Sequence, residues 1–142
     1  MRSNVKSAIA TPFLASLIML AMTSTARAGD KGCSNRTLSG SYGATLTGTV
    51  NGQPFAALDS VTSDGHGNIT GTGTISLDGT IIPSTFTATY TVNSDCTGSF
   101  SSSSGTTENL VITQDGSEVQ FIVTATALGP ATVTGSAKSL GK

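Results

Sequence analysis

Asp59, Glu108, Tyr42 and Tyr90 are the residues whose types could do chemistry together. Two inward carboxylates beside a tyrosine hydroxyl would make a general acid–base site. If Phe55, Ala57 and Val61 face inward, Asp59 shares their face. A carboxylate there is costly unless paired or wet, and perturbed acids of that kind concentrate at functional sites. The plainer reading is that a bulge turns Asp59 outward, or that Ala56 and Leu58 form the buried face. Glu108 is in phase with Leu110 and Ile112, but it sits at a strand start, where exposure is the commoner outcome. Nothing in the spacing makes these four converge. No catalytic residue is assigned, and the balance leans away from an enzyme.

The other reactive residue types carry less. His66 is the only histidine and lies in a glycine-flanked turn, where neither a nucleophilic triad nor a zinc site would find it supported. Asp64-x-His66-x-Asn68 has a faint likeness to a calcium loop. It has Ile69 where the sixth-position glycine belongs and Ile75 where the twelfth-position glutamate belongs. Few cysteines, one histidine and no tryptophan argue against haem, iron–sulfur and most metal cofactors, so none is expected. The Asn35 and Asn68 sequons read as chance matches in a Thr-rich chain.

The chain's start sets the compartment. Arg2 and Lys6 precede a mostly apolar stretch from Ala8 to Met22, and Ala26-Arg27-Ala28 supplies a small-x-small cleavage site. Residues 1–28 read as a cleaved signal peptide, which makes the protein secreted or periplasmic. The apolar run is too short to span a bilayer comfortably. After cleavage, four cations (Lys31, Arg36, Lys138, Lys142) face eight acids, a net charge of −4. None of the four falls between Arg36 and Lys138, so neither nucleic acid nor anionic lipid is an expected partner. Cys33 and Cys96, the only cysteines, are expected to pair in one disulfide in that compartment.

Residues 29–142 are the size of one domain. From Ser39 onward, runs of Thr, Ser and small apolar residues alternate with Gly, Asp and Asn turn clusters. Period-two alternation is clearest at Tyr42–Val50, Ile69–Leu77, Thr85–Val92 and Val119–Ala127. Weaker strands are read at Pro54–Thr62, Gly98–Ser102, Glu108–Thr113 and Ala131–Ser136. Asp78-Gly79 and Asp115-Gly116 read as tight hairpins. About eight strands with short connections favour a meander, and closure into an up-and-down barrel hides its edges. A two-sheet β-sandwich is the alternative. Tyr42, Phe55, Phe86, Tyr90, Phe100 and Phe121 all fall on inward faces, with Gly and Ala between them.

Leu38-Ser39-Gly40-Ser41-Tyr42-Gly43, Thr62 to Thr72 around Asp64-Gly65-His66-Gly67-Asn68, and Thr89 to Ser99 around Asn93-Ser94-Asp95-Cys96-Thr97-Gly98 resemble a group of uncharacterised small exported bacterial proteins. The resemblance covers nearly all of residues 29–142. Its motifs punctuate turns and strands, so it implies a fold and no site residue. His66 departs from the pattern, which has an asparagine-type residue there. A looser, fold-level likeness is to calycin-like and allene-oxide-cyclase-like barrels, which bind or transform small apolar molecules in the lumen. The leading expectation is a non-catalytic exported binding or structural module of unspecified function, whose barrel could offer a small lumen to an apolar ligand. The alternatives are a lumenal cyclase or isomerase and a cell-surface interaction protein presenting Thr-rich faces. An open, polar-lined cavity would favour the first two, and an interior filled by Tyr and Phe would sink both and leave the last.

Overall fold

A computed structural model describes residues 32–141. The segment read above as a signal peptide, residues 1–28, lies outside the described residues. After a 3-10 turn at Asn35–Thr37 come eight strands. They are β1 (Ser39–Val50), β2 (Gln53–Asp64), β3 (Asn68–Leu77), β4 (Thr80–Val92), β5 (Thr97–Ser102), β6 (Thr107–Ile112), β7 (Glu118–Ala125) and β8 (Ala131–Ser139). Each pairs antiparallel with the next, and β8 returns to β1, closing the barrel. The sandwich alternative is set aside by that closure.

The pleat explains why the sequence alternates as it does. Tyr42, Ala44 and Leu46 point inward while Thr45, Thr47 and Thr49 are exposed. Threonine suits this outer face because its branched Cβ favours extended backbone while its hydroxyl meets water. Inside, large and small residues are matched across strands. Phe86 pairs with Gly71 and Phe121 with Gly135. A Cβ on either glycine would lie 2.4 Å from the ring opposite it, so the rings rest on bare backbone. Phe86 also meets Phe100 edge-on, with ring centres 6.4 Å apart.

Two hairpins turn at Asn51-Gly52 and Asp78-Gly79, where all four residues have positive φ, as a type I′ turn requires. Asp115-Gly116 behaves differently. It sits in the longer connection from 113 to 117, and only Gly116 takes positive φ. The Asp115 carboxylate instead accepts bonds from the Ser117 amide (2.9 Å) and hydroxyl (2.7 Å), which builds a wider turn.

One barrel end is capped by residues 32–38. Cys33 bonds Cys96 across a separation of 63 residues, with Cα atoms 4.9 Å apart. The Cys33 amide donates to the Ser94 carbonyl (3.2 Å), and the Val92 amide donates to the Asn35 side chain (2.8 Å). Leu38 then packs into the core with Tyr42, Tyr90, Ile112 and Val119. The far end is lopsided. β5 and β6 are six residues long against thirteen in β4, so Thr80–Thr87 pairs with β3 alone.

Candidate functional site

The interior keeps a cavity of about 80 Å³ to which every strand contributes wall. Most of the wall is carbon, from residues such as Leu46, Val61, Phe86, Phe100, Leu110 and Phe121. Its polar lining comes from Asp59, Glu108, Tyr42 and Ser63.

Asp59 reaches the lumen from β2, opposite Ala44 of β1 and Gly73 of β3. The outward alternatives fail because Leu58 and Ala56 hold the solvent face and Leu58 is 63% exposed. Gly73 makes the inward position possible: a Cβ there would lie 1.8 Å from Asp59 Oδ1, so the carboxylate rests on bare backbone. Oδ1 is buried and has no hydrogen-bond partner among the described residues. Burial raises the Asp59 pKa above the usual carboxylate range.

Glu108 reaches the same space from β6, four strands around the barrel from β2. It is 8% exposed despite its place near a strand start. It is in phase with buried Leu110 and Ile112 along the unbroken β6, and a bulge lies on the facing strand β7. Thr107 pairs with Ala125 and Glu108 with Val123, which leaves Thr124 extra. The Thr124 hydroxyl bonds that of Thr107 at 2.8 Å. The Glu108 carboxylate makes no hydrogen bond among the described residues. Burial first, and then the charge of Asp59, push its pKa up from 4.5 to about 7.

The tyrosines do not complete an acid–base set. The Tyr42 ring lines the cavity, but its hydroxyl donates to the Gly116 carbonyl at 2.9 Å. Burial and then the nearby Tyr90 and Asp115 raise its pKa, which keeps it a neutral donor. The Tyr90 hydroxyl accepts from Ser63 (2.8 Å) and donates to the Asn35 carbonyl (2.9 Å), with the Leu38 carbonyl 3.0 Å away. Tyr90 thus stitches the barrel to its cap, and Tyr42 ties β1 to the β6–β7 connection.

No protein-family model, curated protein or solved structure matches this chain. The site stands on its geometry.

His66 is exposed in the turn between β2 and β3, its amide donating to Asp64 Oδ1 at 2.7 Å. Asp64 also accepts from the Asn68 amide (3.0 Å) and side chain (2.7 Å). Those bonds hold its pKa down at about 2 and make it the staple of the turn. Among the described residues, no group of three or more His, Cys, Asp or Glu is placed to hold a metal. Sequence reasoning gave no role to Ser63, which is 4% exposed and bonded to Tyr90, or to Gly73. Gly73 carried a signal: a glycine cross-strand from an inward acid marks room for that acid.

Proposed function

We propose that this chain is an exported, non-catalytic binding module that holds a small, mainly apolar ligand inside the barrel. One observation carries the reading. Two carboxylates from separate strands enter a largely apolar cavity, and the buried Asp59 Oδ1 has no hydrogen-bond partner among the described residues. A carboxylate in such a setting is expensive to keep unless something donates to it. The engagement of both tyrosine hydroxyls by backbone carbonyls, Tyr42 by Gly116 and Tyr90 by Asn35, supports binding over the cyclase or isomerase reading, which would need a free phenol. The hydroxyl-rich outer face, with Thr45, Thr70, Thr85 and Gln120 exposed, supports a barrel facing water over one facing lipid. Among the described residues no helix is long and apolar enough to cross a membrane. The Cys33–Cys96 disulfide is compatible with export, and residues 1–28 read as the signal that directs it.

Native mass spectrometry of the protein from its own producer, set against the denatured mass, tests the proposal. The expected result is added mass that leaves on denaturation, on a chain that begins at Gly29 and is two protons lighter than its reduced form. A bare native mass, together with lumenal NMR resonances that no small molecule shifts, would overturn it and favour a surface interaction role.

A further inference from the structure

We infer that the lumen takes a small organic ammonium ion, its N–H donors shared between Asp59 and Glu108 and its alkyl body against Phe86, Phe100 and Phe121. This rests on the reading of the barrel as a ligand-binding module and names the class of ligand.

Three features of the cavity converge on that class. First, the two carboxylates come from opposed parts of the wall, β2 and β6, so a donor between them is held from two directions. Glu108 is more than nine-tenths buried, and Asp59 Oδ1 is fully covered with no hydrogen-bond partner among the described residues. Second, among the described residues no positive side chain lines the cavity with them. Arg36 and Lys138, the cations among the described residues, are both exposed, and neither lines the cavity. A neutral donor would satisfy a lone pair and leave the charge, whereas an ammonium group supplies both donor and charge. Third, the rest of the wall is carbon. Two carboxylates among alkyl and ring carbons give a hard metal ion too few oxygens, but ring faces suit an organic cation and its alkyl chain. The volume sets the size. At the ~10–15 Å³ that one water requires, the cavity's measure corresponds to about six waters, or a chain of about five heavy atoms.

The inference includes a pH dependence. Facing Glu108 across the lumen are Asp59 from β2 and Tyr42 from β1. The other neighbouring strands present Ile69, Phe86, Phe100, Phe121 and Ala137, none of which titrates. Binding of a cation strengthens as these carboxyls ionise and weakens as pH falls.

The test is an NMR titration of the protein with n-butylammonium chloride and, separately, n-butanol, at pH 8 and pH 5 and fixed ionic strength. At pH 8 the ammonium ion is expected to shift resonances of Val61, Leu110 and Phe121. The alcohol should bind about tenfold or more weakly, the least that loss of a charged hydrogen bond costs. At pH 5 ammonium affinity should fall by a similar factor. Glu108→Gln and Asp59→Asn, each near-isosteric, should each lower it about tenfold at pH 8. Should either variant fail to fold, the comparison of ammonium with alcohol on the wild-type protein decides alone. Lumenal shifts from butanol as strong as those from butylammonium would overturn the ammonium assignment and leave the binding module standing. Shifts confined to Asp64, Asp95 and Asp115 on the surface would overturn it as well. No lumenal shift from either compound would overturn both readings.

Discussion

The unpaired Glu108 makes the fold lose stability as pH rises through neutrality. Its carboxyl titrates at about 7 in the folded chain against 4.5 in an ordinary setting. Between those values the folded state holds a proton that the unfolded state has released. Stability therefore falls with rising pH across that window, at up to about 1.4 kcal/mol per unit. The whole displacement corresponds to about 3 kcal/mol, fully present below about pH 4.5 and gone above about pH 7. At 8% exposure, little solvent screening reduces that figure. Asp59, also raised by burial, tilts the curve the same way. The opposite arm comes from Asp64, Asp95 and Asp115, whose pKa values are lowered by hydrogen bonds in their turns. Their stabilisation is present above the ordinary aspartate pKa and is lost as pH falls toward 2. The optimum should thus lie near pH 4–5, on the acid side of the usual range.

Urea unfolding at pH 5, 6, 7 and 8, followed by tyrosine fluorescence because the chain has no tryptophan, measures this directly. Wild-type unfolding free energy should drop by about 3 kcal/mol or somewhat more across the series. Glu108→Gln should remove most of the slope and leave the remainder due to Asp59. A wild-type curve that is flat or rises from pH 5 to 8 refutes the reasoning. A Glu108→Gln curve as steep as wild type would refute the assignment to Glu108.

Three further outcomes follow from the cap and the lopsided end. Cys33→Ser with Cys96→Ser opens a 63-residue closure and should cost about 4 kcal/mol, read as a shift of the urea midpoint relative to the oxidised protein. Tyr90→Phe removes the hydroxyl that joins Ser63 to the Asn35 carbonyl and should cost about 1–3 kcal/mol; an unchanged midpoint would mean that the cap does not depend on it. At the far end, the Thr87 amide and carbonyl both bond Ser103 across the β5 side, so alternation turns the backbones of Thr85, Pro83 and Ile81 to that same, unpaired side. Proline has no N–H to offer there, so Pro83→Thr should increase self-association in sedimentation velocity, and a monomer at the wild-type concentration range would count against this reading.

The architecture was legible because two local signals agree along the chain. Alternation such as Tyr42-x-Ala44-x-Leu46 against Thr45, Thr47 and Thr49 sets the faces, and Asp78-Gly79 sets a hairpin register. The six aromatics followed from the same alternation. Asp115-Gly116 misled because the dipeptide's φ preference was overridden by the Asp115 side chain bonding Ser117, a contact that spacing alone does not reveal. The candidate site was only half legible. Phase put Asp59 and Glu108 on inward faces. For Asp59, whether it stayed there depended on Gly73, which clears the space; for Glu108, it depended on where β6 begins, since the strand starts one residue earlier at Thr107. Convergence is a property of closure: residues 59 and 108 share a cavity only because β8 returns to β1. The tyrosines show the converse. Their phase was correct, but their hydroxyls reach the end of the barrel, where the cap offers carbonyls.

The two carboxylates are the point at which this sequence departs from the simplest stable barrel. Replacing buried unpaired charges with neutral groups of the same shape is generally neutral or stabilising. Nothing about closing eight strands requires an acid at 59 or 108, since Ala57, Val61, Leu110 and Ile112 supply the apolar face on either side. The surrounding structure accommodates both acids at a cost: glycine in place of a side chain under Asp59, and an interrupted ladder beside Glu108. Yet the polar side chains at the capped end are bonded: Tyr42 to Gly116, Tyr90 to Asn35, and Asn35 to Val92. A fold that satisfies its polar groups at one end and leaves two acids unpartnered in the middle is not uniformly loose. Local departures of this kind, set in an otherwise consistent structure, are where function is expected to reside. The lumen between Asp59 and Glu108 is therefore the place to look for it.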